Sequence, residues 1–104
     1  MITVTTDVLQ GRRYMELGVV SGSTIRSKNM FSDFGQGLKS IVGGELKSYT
    51  NMMEKARAQA SQRMEEEAKA LGADAVIGIR YTTSAIVAQA AEVLVYGTAV
   101  KFLD

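Results

Sequence analysis

Residues 45–82 read ELKSYTNMMEKARAQASQRMEEEAKALGADAVIGIRYT: a long helical repeat, a stop and a strand in immediate succession. Tyr49, Met53, Ala56, Ala60, Met64, Ala68 and Leu71 recur at three- and four-residue steps and form one stripe of a helix spanning Glu45 to Leu71. Lys47, Glu54, Lys55, Gln59, Gln62, Glu65, Glu66 and Lys69 occupy much of the remaining surface. Gly72 stands where a left-handed C-cap belongs. A helix of this length extends about 40 Å, whereas a domain of this size has a radius of gyration of about 13 Å. Either the helix breaks early or something outside the monomer supports its end. Beyond Asp74, the β-branched run Ala75 to Thr82 reads as a strand.

Outward from this centre, Ile2 to Thr6 reads as a short strand and Gly11-Arg12-Arg13 as a turn. A second strand runs from Tyr14 to Val20, with Met15, Leu17 and Val19 on one face and Tyr14, Glu16 and Val20 on the other. It ends at a Ser21-Gly22-Ser23 turn, with a resumption open at Thr24 to Arg26. Phe31, Phe34, Leu38, Ile41 and Val42 have helical spacing, interrupted by Gly35 and Gly37 and stopped by Gly43-Gly44. Ser84 to Ala91 fits a strand extension, a wide loop or a short helical turn. The last strand, about Glu92 to Phe102, places Leu94, Tyr96, Val100 and Phe102 on one face and Val93, Val95 and Ala99 on the other. Both faces are apolar, and one helical layer covers only one of them, so the second face is expected to be covered by another subunit.

The whole chain of 104 residues is read as one domain. Lys and Arg number 12 and Asp and Glu 11, and a net charge of +1 provides no pull toward nucleic acid or an anionic membrane. The basic residues are dispersed, which argues against a nucleic-acid surface. No apolar run approaches the roughly 20 residues that span a bilayer. Met1 to Asp7 carries neither a basic start nor an apolar run, so a cytoplasmic protein is expected. Cys and His are both 0, which removes disulfides, thiolate or imidazole metal ligands, cysteine nucleophiles and histidine acid–base chemistry together.

The remaining candidate chemistry is sparse. Glycines 35, 37, 43 and 44 lack the Gly-Lys-Ser/Thr ending of a P-loop. Ser21 to Thr24 has no base to activate a nucleophile, so no catalytic residue is assigned. Glu65, Glu66 and Glu67 point about 100° apart on a helix and read as a solvated face. Asp7, Asp33, Glu45 and Asp74 are the hard oxygen donors that could meet across a fold or subunit boundary. Met53 and Met64 sit on the buried stripe, while Met1, Met15, Met30 and Met52 form no local cluster. Arg57 borders the stripe, where an ion pair to a carboxylate such as Asp74 competes with an anion site.

The strings MELGVVSG (Met15 to Gly22), IVGGELKSY (Ile41 to Tyr49), EKARAQA (Glu54 to Ala60), EAKALGADAVIGIRY (Glu67 to Tyr81) and YGTAV (Tyr96 to Val100) occur in this order. In that order they resemble the YbjQ-like family, small bacterial and archaeal proteins labelled "putative heavy-metal-binding". The resemblance implies an α+β, dodecin-like subunit, an antiparallel sheet packed on one long helix, assembled as a ring-shaped homopentamer. It implies no established reaction. It draws attention to Gly43, Gly44, Tyr49, Arg57, Gly72, Asp74, Gly97 and Thr98. The glycines are read as conformational: a stop at Gly43-Gly44, a cap at Gly72, a bulge or close approach at Gly97. Tyr49, Arg57, Asp74 and Glu45 are the candidate ligand-binding residues, with a polar network between helix and sheet or between subunits as the competing reading. Any bound metal would have to use carboxylates, Met or backbone carbonyls. The expected function is a non-enzymatic homo-oligomeric binding or scaffold protein; the alternative is a carrier or enzyme whose site forms between subunits.

Overall fold

The structure, a computed structural model, describes residues 1–27, 45–87 and 90–104; the side chains of residues 27, 45–49, 85–87 and 90 lie outside that description. The described elements are β1 (Ile2–Thr3), β2 (Tyr14–Ser27), α1 (Glu45–Ala70), β3 (Ala75–Val87) and β4 (Ala90–Phe102). They form one four-stranded sheet in the order β1-β3-β4-β2, with α1 across one face. The expected helix over residues 31–42 and the Gly43-Gly44 stop lie outside the described residues.

Helix α1 forms where the periodicity places it. Its 26 residues correspond to about 39 Å, and the molecule measures 56 × 25 × 18 Å with a radius of gyration of 16.9 Å. That exceeds the roughly 13 Å of a compact domain of this length, so the fold is elongated. Its buried stripe is Met52, Ala56, Ala60, Met64 and Ala68. Met52 belongs to that stripe, contrary to its placement outside it, because burial follows a strict four-residue step; Met53 is only partly buried. Ala73 N–H donates to Ala68 O and Gly72 N–H to Lys69 O, with Gly72 at φ +81°. This is the paired bonding of a Schellman cap. The cap turns the chain away after Ala70, which leaves Leu71 half exposed instead of on the stripe.

Alanines in the stripe let the helix backbone approach the sheet closely, and Gly22 is a point of close approach. A Cβ at Gly22 would collide with Ala60 O and Met64 N of the helix backbone and stand 3.0 Å from Arg63 C. Ser21-Gly22-Ser23 is therefore no turn: β2 runs unbroken from Tyr14 to Ser27, and glycine is there to make room.

Two bulges decide which residues face α1. The β2–β4 register shifts between Glu16 and Gly18, which puts Val20 on the helix side and leaves Val19 on the outer face with Tyr14 and Glu16. Strict alternation assigns these two valines the other way round, because it cannot anticipate the extra residue. The β3–β4 register shifts between Ile77 and Arg80, around Gly78 at φ +62°. Ile77 thus faces outward and Ile79 joins the helix-side core. Opposite this bulge, Gly97 is buried; a Cβ on it would lie 2.7 Å from Val76 Cγ1 and 2.9 Å from Ile77 O. The close approach expected at Gly97 is present.

Strand β4 carries Val93, Val95 and Ala99 toward the helix, and Val100 and Phe102 toward the other side, as its sequence indicates. Residues 84–87 and 90–91 extend the two strands, paired up to Val87↔Ala90, and residues 88 and 89 lie outside the described residues. The sheet is mixed and not purely antiparallel, since β1 pairs with β3 in parallel (Ile2↔Ala75). In this strand order, the link from β1 to β2 must cross β3 and β4. It crosses the face opposite α1, where Val4, Leu9 and Tyr14 pack with Phe102 on Ala75, Ile77 and Val100. One end of the second apolar face is thus covered by the chain's own amino-terminal segment.

Candidate functional site

The polar side chains of the fold gather in three places. The first is the seam between α1 and β2. Thr24, buried, donates from Oγ1 to Ala56 O at 3.1 Å, which satisfies its hydroxyl inside the core. Arg63 reaches from the helix to Ser23 O, and Arg26 reaches back to Gln59 Oε1 at 3.4 Å. Arg26 Nε is buried without a hydrogen-bond partner among the described residues. Nearby, the Ser61 and Tyr81 hydroxyls share a hydrogen bond of 2.8 Å between α1 and β3. These bonds link residues 20 to 40 positions apart in the chain, and they fix the helix against the sheet.

The second place is the joint after the helix. Asp74 N–H donates to Val100 O at 2.8 Å, while its Oδ2 accepts from Phe102 N–H at 2.8 Å and lies 4.0 Å from Lys101 Nζ. The carboxylate takes the place of a strand partner for Phe102, one step beyond the start of β3. Asp74 is engaged in holding β3 to β4.

Within one chain, Arg57 and Asp74 are not brought together. Arg57 is exposed on α1 and makes no ion pair to Asp74, which is held by Lys101 and Phe102 instead. The helix accounts for this. Arg57 precedes the helix end by 13 residues, or about 20 Å, and Asp74 lies past that end. Tyr49 and Glu45 belong to the first turns of α1, farther still from Asp74 along the axis; their side chains lie outside the described residues. Gly43 and Gly44 lie outside them entirely. Thr98 is half-buried on the outer face between Val19 of β2 and Ile77 of β3.

The third place is that outer face. Across β2, β4 and β3 its successive rows are Val19–Thr98–Ile77, Ser21–Tyr96–Arg80, Ser23–Leu94–Thr82 and Ile25–Glu92–Ser84. Toward the Ile25 end nothing among the described residues covers it: Val19 is 74%, Ile25 56% and Tyr96 40% exposed. At the border, Arg80 donates from Nη1 to Thr5 O at 2.8 Å, and its Nη2 lies 3.8 Å from Asp7. Arg80 has no distinguishing signal in the sequence, because its place on this face depends on the bulge at Gly78.

A family model described as "Putative heavy-metal-binding" matches residues 1–103. A UPF0145 protein of Clostridium novyi is 61% identical over 103 residues, covering 99% of this chain and all of the relative. A UPF0145 protein of Vibrio campbellii is 55% identical over 104 residues, again covering 99% of this chain and all of the relative. Among solved structures, a Pediococcus pentosaceus protein of unknown function from the DUF74 family superposes with a TM-score of 0.69, covering 98% of this chain and 97% of that one. At 20% identity, that likeness speaks to the fold alone.

The donor set of a single chain does not fit a heavy-metal site. Soft metals are held by thiolate, thioether or imidazole; the sequence contains no Cys and no His, and of its methionines Met52 and Met64 are buried in the fold. Among the described residues no three carboxylates cluster. Asp7 pairs with Arg80, Asp104 with Arg13, and Asp74 with Lys101 and the Phe102 amide. No helix among the described residues is long and apolar enough to cross a membrane.

Proposed function

This chain belongs to the YbjQ-like family, and on that premise we propose that it is a non-enzymatic, homo-oligomeric binding or scaffold protein of the cytoplasm. Its assembled form is a ring-shaped pentamer of dodecin-like subunits. The carrying observation is the outer sheet face, where Val19, Ile25 and Tyr96 are exposed beside Leu94 on a sheet whose other side packs against α1. Apolar side chains such as these, open to water among the polar residues of the face, cost free energy that association recovers, at about 25 cal/mol per Å² buried. The exposed side of α1 is polar, with Glu54, Lys55, Gln59, Gln62, Glu66 and Lys69, so the sheet and not the helix is the surface suited to self-contact.

A second reading is a carrier or enzyme whose site forms between subunits. It is favoured by Arg57, an exposed guanidinium with no hydrogen bond or ion pair among the described residues. In that reading Tyr49, Glu45 and Asp74 would come from neighbouring copies.

Native mass spectrometry of protein purified without added metal or a metal-affinity tag tests both. A bare pentamer is the expected result. A monomer at micromolar concentration overturns the assembly, and a pentamer with a reproducible extra mass replaces the scaffold reading with the carrier.

A further inference from the structure

The described residues form two apolar clusters of unequal strength. The larger lies between α1 and the sheet and includes Val20, Ala60, Met64, Val76, Ile79 and Val95, all nearly or fully buried. The smaller, on the outer face, has only Ala75, Ile77 and Val100 buried, roofed in part by Val4 and Leu9. Of residues 1–10, Val4 and Leu9 alone are even partly buried. The amino-terminal segment is held mainly by backbone bonds along the edge of β3. Val4 N–H donates to Val76 O, Ile79 N–H to Val4 O, and Gly78 N–H to Thr6 O, at 2.7–3.1 Å.

One side chain ties the segment down. The bulge at Gly78 turns Arg80 to the outer face, where its guanidinium donates to Thr5 O and to its own neighbour's Ile79 O and approaches Asp7. Without the bulge, position 80 would face α1, and this contact would not form.

We propose that residues 1–9 form a strap that opens from the sheet as a unit separate from the helix–sheet core, with Arg80 as its latch. A segment with few buried apolar contacts and exposed hydrogen bonds belongs to the low-stability end of a fold and opens without global unfolding. The far end of the strap is fixed, because Leu103 N–H donates to Arg13 O and Arg12 stacks over the Phe102 ring at 4.3 Å. Opening therefore hinges between Leu9 and Arg12, at Gly11 with φ +81°. It uncovers Ala75, Ile77 and Val100 beside Val19 and Tyr96, which adds to the apolar side chains exposed on that face. The strap thereby sets how much of that face is available for contact. This consequence for assembly rests on the oligomer proposed above; the opening itself does not.

Hydrogen–deuterium exchange read by NMR on the full chain, for wild type, Arg80→Met and Arg80→Lys, tests the latch. The reporters are the amides of Val4, Gly78 and Ile79 for the strap and those of β4 between Val93 and Ala99 for the core. In wild type the strap amides exchange at least about 100-fold faster than the core amides. Arg80→Met speeds the strap amides by about tenfold and leaves the core unchanged. Arg80→Lys behaves like Arg80→Met, because an ammonium near Asp7 lacks the forked donors that reach Thr5 O. Equal protection of strap and core amides overturns the proposal. So does acceleration of both groups by Arg80→Met, and strap exchange insensitive to Arg80 removes the latch. Native mass spectrometry on the same samples reads the oligomer separately, so failure of the strap and failure of the assembly give different results.

Discussion

Replacing Gly22 with alanine tests the central packing of this fold with a single methyl group. The added Cβ would collide with Ala60 O and Met64 N and sit 3.0 Å from Arg63 C, all atoms of the helix backbone. No rotamer change relieves such a contact, so α1 must lift by about 1 Å over this point, loosening contacts that decay steeply with separation. The residues that lose contact are the fully buried Ala56 and Ala60 and the nearly buried Met64, together with Val20 across the interface. Overpacking of this kind costs about 1–3 kcal/mol, and a rigid backbone obstacle puts it at about 3. Alanine recovers up to about 1 kcal/mol by restricting the unfolded chain, which leaves a net loss of about 2 kcal/mol. Against a urea slope of about 1–2 kcal/mol per M, the unfolding midpoint falls by about 1 M or more, read by far-UV circular dichroism. Protomer concentration must be held fixed, because association contributes to apparent stability. Ser21→Ala, on the same strand but the opposite face, is the control and changes stability by no more than about 0.5 kcal/mol. A midpoint for Gly22→Ala that matches the control would refute the close approach of helix and sheet.

Three further changes probe the joint, the cap and the outer face. Asp74→Ala leaves the Phe102 amide without its carboxylate acceptor and lowers unfolding stability by about 1–2 kcal/mol; Asp74→Asn, which keeps an acceptor oxygen, loses less in the same denaturation assay. Gly72→Ala places a Cβ on a residue at φ +81° with open space around it, so its cost of about 1 kcal/mol is conformational and not steric. Val19→Asp alters a side chain that is 74% exposed in the single chain, so monomer stability changes by no more than about 0.5 kcal/mol. Its oligomer mass by light scattering should nevertheless collapse, and an unchanged mass would place the subunit contact elsewhere.

Much of the helix–sheet frame was legible because its signals are local. The stripe from Ala56 to Ala68, the stop at Gly72 and the two faces of β4 follow from spacing alone, since a helix repeats every 3.6 residues and a strand every 2. The proposed grouping of Tyr49, Arg57, Asp74 and Glu45 had no such support. Arg57 and Asp74 are close to the same buried stripe in a one-dimensional reading, but a continuous helix separates them by about 20 Å. The polar residues that do meet, Arg63 with Ser23, Ser61 with Tyr81 and Arg80 with Thr5, are 20 to 75 positions apart, with nothing in their local sequence to pair them.

By itself, then, the sequence determined which segments bury apolar surface and where the helix stops, and, through the absence of Cys and His, which chemistry a single chain lacks. Tertiary structure alone decided that β2 continues through Gly22, because only the helix lying on it shows why a side chain is excluded there. It also decided that Val20 and not Val19 faces α1, and that Arg80 faces the strap. Each of these depends on a bulge, one extra residue that inverts every later position on a strand, and the register that reveals it exists only once the partner strand is in place.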